Sequence, residues 1–230
     1  MTAQLIVALD LPDVVAARAV IEEVGDAADC WKIGHQLAFA AGPENGLSLA
    51  QELARAGRPV FLDLKLLDIP NTVAEGVRSV AGMGVAMLTI HAYPQAMEAA
   101  ARAAEGTELT TLAVTVLTSM DGRDLRNAGY AGDAKEMVEL RARQAREAGM
   151  GGIVASGAEA ARVKPLVGDM AVVTPGIRPA GAAAGDQKRV TTPREAVRDG
   201  ATHLVVGRPV TGAADKRAAA LAIKEETANG

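Results

Sequence analysis

Eight short hydrophobic runs, separated by alanine-rich segments, limit the folds open to this chain more than any other feature. They are QLIVALD (4–10), CWKIG (30–34), RPVFLDLKL (58–66), AMLTIHA (86–92), TLAVTVLTS (111–119), GGIVAS (151–156), MAVVTPGI (170–177) and THLVVGRPV (202–210). Each is close to continuously apolar rather than alternating, which suits parallel strands covered on both faces. Between them lie segments of helical character, among them 13–24, 47–56, 72–82, 94–105, 133–148 and 213–228. Gly25, Gly57, Gly149 and Gly200 fall just before the next strand, where helices commonly terminate. Eight strands alternating with helices in 230 residues predict a (β/α)8 TIM barrel. No linker-like shift in composition and no charge block divides it, so one domain over 1–230 is expected. An open doubly wound sheet is the alternative, but no G-x-G-x-x-G follows the first strand.

Bulk properties exclude several classes. A formal charge of −4 and a pI near 5.5 argue against a nucleic-acid partner, and 2% aromatic residues leave little for stacking bases. Cys30 is the only cysteine, which rules out an intramolecular disulfide framework and fits a reducing compartment. The segment MTAQLIVALD lacks a basic n-region and a long apolar h-region, and no apolar run approaches the ~18 residues needed to span a bilayer. The expectation is a soluble, cytoplasmic protein with no membrane partner.

In a barrel, functional side chains gather at the C-terminal ends of the strands. Those ends carry Asp10, Lys32, Asp63, Lys65, Asp68, His91, Thr118, Ser119, Ser156, Arg178 and Arg208. The stretch DLKLLDIPNT (63–72) stands out, because ionised groups in a strand cost several kcal/mol unless paired or used. Asp63 and Lys65 are therefore either a structural ion pair or part of a reaction. On a regular strand they share a face, about 6.6 Å apart. With Lys32 and Asp68 they could form an alternating network. Pro70 biases Ile69 away from helical geometry, so Asp68 is expected to project off the barrel rim. After the seventh and eighth strands, TPGIRP and VVGRPV place Arg178, Gly207 and Arg208 as a phosphate clamp. The Gly/Ala-rich stretch 178–189 between them is long enough to be a functional loop.

Other polar residues have plainer readings. Asp10 can cap the next helix, and His91 suits a structural hydrogen bond better than a general base. His35 and His203 show no metal spacing with each other or with Cys30. Trp31, Cys30 and the methionines are packing residues. KEMVELRARQAREAG (135–149) has the pattern of a solvated helix face with i,i+4 ion pairs.

Taken together, VALD, KIG, DLKLLDIPNT, VTVLTSM, TPGIRP, AGDQKR and VGRPV resemble the orotidine 5′-phosphate decarboxylase family, in order and from the first strand to the last. The resemblance implies cofactor-free decarboxylation of orotidine 5′-monophosphate (OMP) to UMP, the last step of de novo pyrimidine nucleotide synthesis. It implies Lys65 as proton donor to C6, with Asp63, Asp68 and Lys32 completing the catalytic network. Asp63 would face the substrate carboxylate, and Asp10 and Lys32 the ribose hydroxyls. Thr118 and Ser119 would contact the pyrimidine, and Arg178, Gln187, Gly207 and Arg208 the phosphate, with the 180–188 loop closing over it. Asp68, Ile69 and Thr72 would reach the site of the partner subunit in a homodimer. No metal and no cofactor is implied. Leu66, Leu67 and the turn HAYPQ (91–95) depart from the family's usual residues.

Three other functions compete. A metal-dependent sugar-phosphate decarboxylase or aldolase would need a carboxylate ligand where Lys32 stands. A phosphosugar isomerase would need a strand-end Glu or Cys. A non-catalytic nucleotide-binding barrel is argued against by the intact Lys65 and both aspartates.

Overall fold

The computed structural model describes residues 3–179 and 191–228. Eight strands, β1 (Gln4–Ala8), β2 (Cys30–Gly34), β3 (Val60–Leu66), β4 (Met87–His91), β5 (Thr110–Val114), β6 (Gly152–Val154), β7 (Ala171–Thr174) and β8 (His203–Val206), pair in sequence order. All are parallel, and β8 returns to β1 through the register Leu5↔Leu204 and Val7↔Val206. The sheet is a closed barrel with no free edge.

The helices in chain order are α1 (Val14–Val24), α2 (His35–Ala38), α3 (Gly46–Arg55), α4 (Pro70–Ala81), α5 (Pro94–Ala104) and α6 (Gly122–Asn127). They continue as α7 (Ala134–Glu147), α8 (Gly157–Val167), α9 (Pro193–Arg198), α10 (Arg208–Thr211) and α11 (Lys216–Ala228). Their starts follow local chemistry. Asp13, Asn45, Asp121 and Asp133 accept hydrogen bonds from first-turn amides, and Pro70 and Pro94 occupy first helical positions where no amide is missed. Gly57 (φ +70°) and Gly149 (φ +77°) reverse the chain after α3 and α7 in the left-handed region that other residues adopt only with strain.

Two apolar layers result. The larger lies between strands and helices; the smaller fills the barrel with Ile6, Ala8, Cys30, Phe61, Met87, Leu112, Val173 and Val205. Cys30 belongs to this inner layer, and burial pushes its thiol up to about 12, so it packs rather than reacts. β6 is only three residues long, and a Cβ at Gly152 would stand 2.6 Å from Leu112 Cδ2, so this wall of the barrel admits only glycine there. No helix among the described residues is long and apolar enough to cross a membrane.

Candidate active site

A cavity of about 440 Å³ opens at the C-terminal ends of the strands. Its apolar floor includes Ala8, Phe61, Val114, Val154, Val173 and Val205. Around it stand Asp10, Lys32, Asp63, Lys65, Thr118, Arg178, Gly207 and Arg208, all singled out in the sequence.

One side of the cavity is a chain of alternating charges. Lys32 on β2 is buried to 7% exposure and donates to Asp10 Oδ1 at 3.0 Å, with Asp63 Oδ2 at 3.6 Å. Lys65 Nζ donates to the other Asp63 oxygen at 2.7 Å, and Thr89 Oγ1 reaches the same oxygen at 3.1 Å. Burial pushes the Asp63 carboxyl up. The Lys32 and Lys65 charges, with hydrogen bonds from Lys65 and Thr89, more than offset it and hold it below the usual aspartate range. The order Asp10–Lys32–Asp63–Lys65 leaves each cation against a carboxylate, which makes the burial of Lys32 and the partial burial of Asp63 and Lys65 tolerable, while Asp10 stays exposed at the end of the chain of charges.

The route by which Lys65 enters this network differs from the regular strand the spacing suggests. Leu62 pairs with Leu88, but Leu66 pairs with Ile90, so β3 bulges against β4 between them. Lys65 has φ +53°, the only positive φ at a non-glycine among the described residues. Such a conformation costs roughly 1–3 kcal/mol and persists only where its surroundings impose it. Here the Lys65 amide donates to Thr89 Oγ1 at 2.9 Å, and the Leu64 carbonyl lies 3.0 Å from His35 Nε2. Side chains from β4 and α2 thus pin both sides of the Leu64–Lys65 peptide. The bulge brings the lysine onto Asp63 at hydrogen-bond distance, where a flat strand would leave them farther apart.

Across the cavity, Arg178 follows β7 and Arg208 opens α10 behind Gly207. Arg178 is buried to 9% and donates to the Ile177 carbonyl at 2.9 Å. Burial lowers its pKa, and the like charge of Arg208 adds to the effect. Gln187 and the 180–188 loop lie outside the described residues.

Four of the expected residues do not line this cavity. Asp68, Ile69 and Thr72 are exposed on the rim, with Ile69 66% accessible and Asp68 Oδ1 accepting from the Ile69 amide at 2.7 Å. Ile69 is extended (φ −59°, ψ 149°) ahead of Pro70, which turns the segment outward before α4. Ser119 is exposed as well, because the chain turns back where the Met120 amide bonds Leu117 O, leaving Thr118 on the pocket side.

His91 makes no side-chain hydrogen bond among the described residues, contrary to the structural role its position suggests. Burial, followed by the charges of Lys65 and Arg141, lowers its pKa and keeps the ring neutral at pH 7. Two contributors escaped the sequence reading. Thr89 is an apparent strand-filler whose role depends on lying beside β3, and His35 acts through a backbone carbonyl rather than a ligand. Among the described residues no group of three or more His, Cys, Asp or Glu could hold a metal ion.

The chain as a whole has counterparts among known proteins. Residues 3–223 match the model of the orotidine 5′-phosphate decarboxylase / HUMPS family. The chain is 58% identical to the orotidine 5′-phosphate decarboxylase of Methylobacterium radiotolerans over 226 residues, covering 98% of this chain and 96% of that protein. It is also 58% identical to the orotidine 5′-phosphate decarboxylase of Rhodopseudomonas palustris, covering 98% and 94%. Among solved structures, the orotidine 5′-phosphate decarboxylase from Lactobacillus acidophilus superposes with a TM-score of 0.85 at 34% identity, covering 98% and 99%. An uncharacterized conserved protein from Geobacillus kaustophilus gives 0.81 at 31%, covering 97% and 99%. The chain belongs to the orotidine 5′-phosphate decarboxylase / HUMPS family.

Proposed function

We propose that this chain converts OMP to UMP and CO2 without a cofactor, as a cytoplasmic enzyme of pyrimidine nucleotide synthesis. The observation that carries this reading is Lys65, held 2.7 Å from Asp63 at the cavity wall while two arginines stand across from it. Loss of CO2 breaks the bond from C6 to the carboxylate carbon and leaves the electron pair in the ring plane, where the π-system cannot delocalise it. A fixed ammonium beside C6 stabilises that charge as it develops and then delivers its proton, giving UMP. Asp63 facing the departing carboxylate adds a ground-state repulsion that is relieved as CO2 leaves.

The remaining roles are those the family resemblance implies, supported for all but Ser119 and Gln187 by residues that line the cavity. Asp10 and Lys32 take the ribose hydroxyls, Thr118 and Ser119 the pyrimidine, and Arg178, Gly207 and Arg208 the phosphate dianion, with Gln187 assigned there by family likeness. Phosphate binding distant from C6 supplies energy for ordering the site around the reacting atoms. Lys32 Nζ occupies the space between Asp10 and Asp63 that a divalent cation would need, which favours metal-free chemistry over the sugar-phosphate alternatives. Asp68, Ile69 and Thr72 are exposed on the rim and complete the site of a second copy in a homodimer.

The test is to mix the protein with OMP in excess EDTA and follow the ultraviolet change to UMP. Turnover is expected; silence from a protein that binds UMP would contradict the reading. The shared site has its own test. Lys65→Ala and Asp68→Ala, each inactive alone, should regain activity in about a quarter of the sites when their subunits exchange. No recovery despite demonstrated exchange would exclude the sharing.

A further inference from the structure

Arg141 breaks the pattern of its own helix. The stretch 135–149 has the sequence of a solvated face, and Arg143 does pair with Glu139 along it. Arg141 instead is buried to 8% exposure. A guanidinium out of water needs compensation, and among the described residues no carboxylate pairs with it. What surrounds it is aromatic and carbonyl. Its carbon Cζ lies 5.4 Å from the ring centroid of Tyr93 and 5.1 Å from that of Tyr130, and Nη1 donates to Thr115 O. The two tyrosine hydroxyls are hydrogen-bonded to each other. These are the only tyrosines in the chain.

The positions of these partners give the cluster a purpose. The segment from Thr115 to Asp133 joins β5 to α7 and includes α6. Thr115 is its first residue, Tyr130 stands near its end, and Tyr93 comes from the neighbouring β4–α5 turn, within the HAYPQ departure. Arg141 therefore ties both ends of one loop to each other and to the next loop around the barrel. The residues immediately after Thr115, namely Val116, Leu117 and Thr118, line the cavity. Thr115 is also fixed to β6 through its hydroxyl, which donates to Val154 O at 2.9 Å.

We propose that Arg141, Tyr93 and Tyr130 form a cation–π staple that holds the 115–133 loop in its binding geometry and so sets affinity for the base of the nucleotide. The three are positioning residues; none lines the cavity. Cation–π contact is strongest where water is excluded, and a planar, delocalised guanidinium can lie against two rings and donate to a carbonyl at once, which a compact ammonium does less well. The assignment of the base to this wall rests on the function proposed above; the ordering of the loop does not.

The test separates the two. Hydrogen exchange on the unliganded protein should show amides of 115–133 losing protection in Arg141→Met while the barrel strands keep theirs. In the same variant UMP should bind about tenfold more weakly, while ribose 5-phosphate, which lacks the base, binds within about twofold of the native protein. Arg141→Lys should share the defect. Tyr130→Phe, which keeps the ring but loses the hydroxyl bonded to Tyr93, should weaken UMP less than Tyr130→Ala, and both should leave ribose 5-phosphate near native. These two carry the test if Arg141→Met does not fold, and equal loss in both would overturn the role of the ring. Unchanged exchange in 115–133, or equal weakening of both ligands, would overturn the staple. Failure of the native chain to bind UMP would instead count against the functional reading, leaving the exchange data to judge the staple.

Discussion

The two charged walls of the cavity are built on opposite terms. At the ends of β1–β3, Asp10, Lys32, Asp63 and Lys65 alternate in sign, each cation lying within 3.6 Å of a carboxylate. At the ends of β7 and β8 stand two arginines, Arg178 and Arg208, and burial followed by the charge of Arg208 lowers the pKa of Arg178. The first wall is neutral overall and fixed in place by its own hydrogen bonds. The second concentrates positive charge and suits a dianion. Chemistry that depends on preorganised charge belongs on the first, and binding energy drawn from a remote group belongs on the second.

That division makes distinct kinetic predictions for the two walls. Replacing Arg178 and Arg208 together by alanine should raise KM for OMP by about 10³-fold, from losing charge-assisted hydrogen bonds to phosphate. Arg208→Ala alone should cost about 10²-fold, mainly in KM. Initial rates over a wide substrate range check both, and an unchanged KM would erase the difference between the walls. Thr89→Val should leave KM nearly unchanged and lower kcat by about tenfold, because it frees the Lys65 amide and removes one hydrogen bond from Asp63. The sign of its pH effect follows from the same bond. Asp63 is held below the ordinary 3.8, partly by Thr89, so losing the hydroxyl moves its pKa up and the acid limb of kcat shifts to higher pH. Thr89→Ser should restore both, and a pH profile that does not move would remove Thr89 from the network.

The contrast also separates what the sequence makes legible from what it does not. Near-continuous apolar runs follow directly from strands covered on both sides, and CWKIG matches β2 residue for residue. Strand ends were harder: TLAVTVLTS continues past β5, whose last residue is Val114, because apolar loop residues such as Val116 and Leu117 face the cavity instead of a helix. Charged residues at those ends were readable because ions in strands are costly without a use. The bulge at Lys65 was not, since a positive φ leaves no mark on the residues Asp63, Leu64 and Lys65 themselves; it is imposed by Thr89 and His35 from neighbouring elements. The burial of Arg141 is hidden for a related reason. Its helix pattern is polar, and only the tertiary arrival of Tyr93 and Tyr130 shows that this arginine faces inward. Local composition reports what a segment can bury, while contacts between distant segments decide which charges are used.

The division between walls is tested most directly by measuring UMP binding and OMP turnover side by side on Lys65→Ala. The first wall should lose the reaction, with kcat down by at least about 10⁴-fold once the developing charge loses its cation and the carbon its acid. The second wall should keep its ligand, with UMP bound within about tenfold of the native affinity. Turnover near the native rate, or a folded variant that no longer binds UMP, would contradict the account.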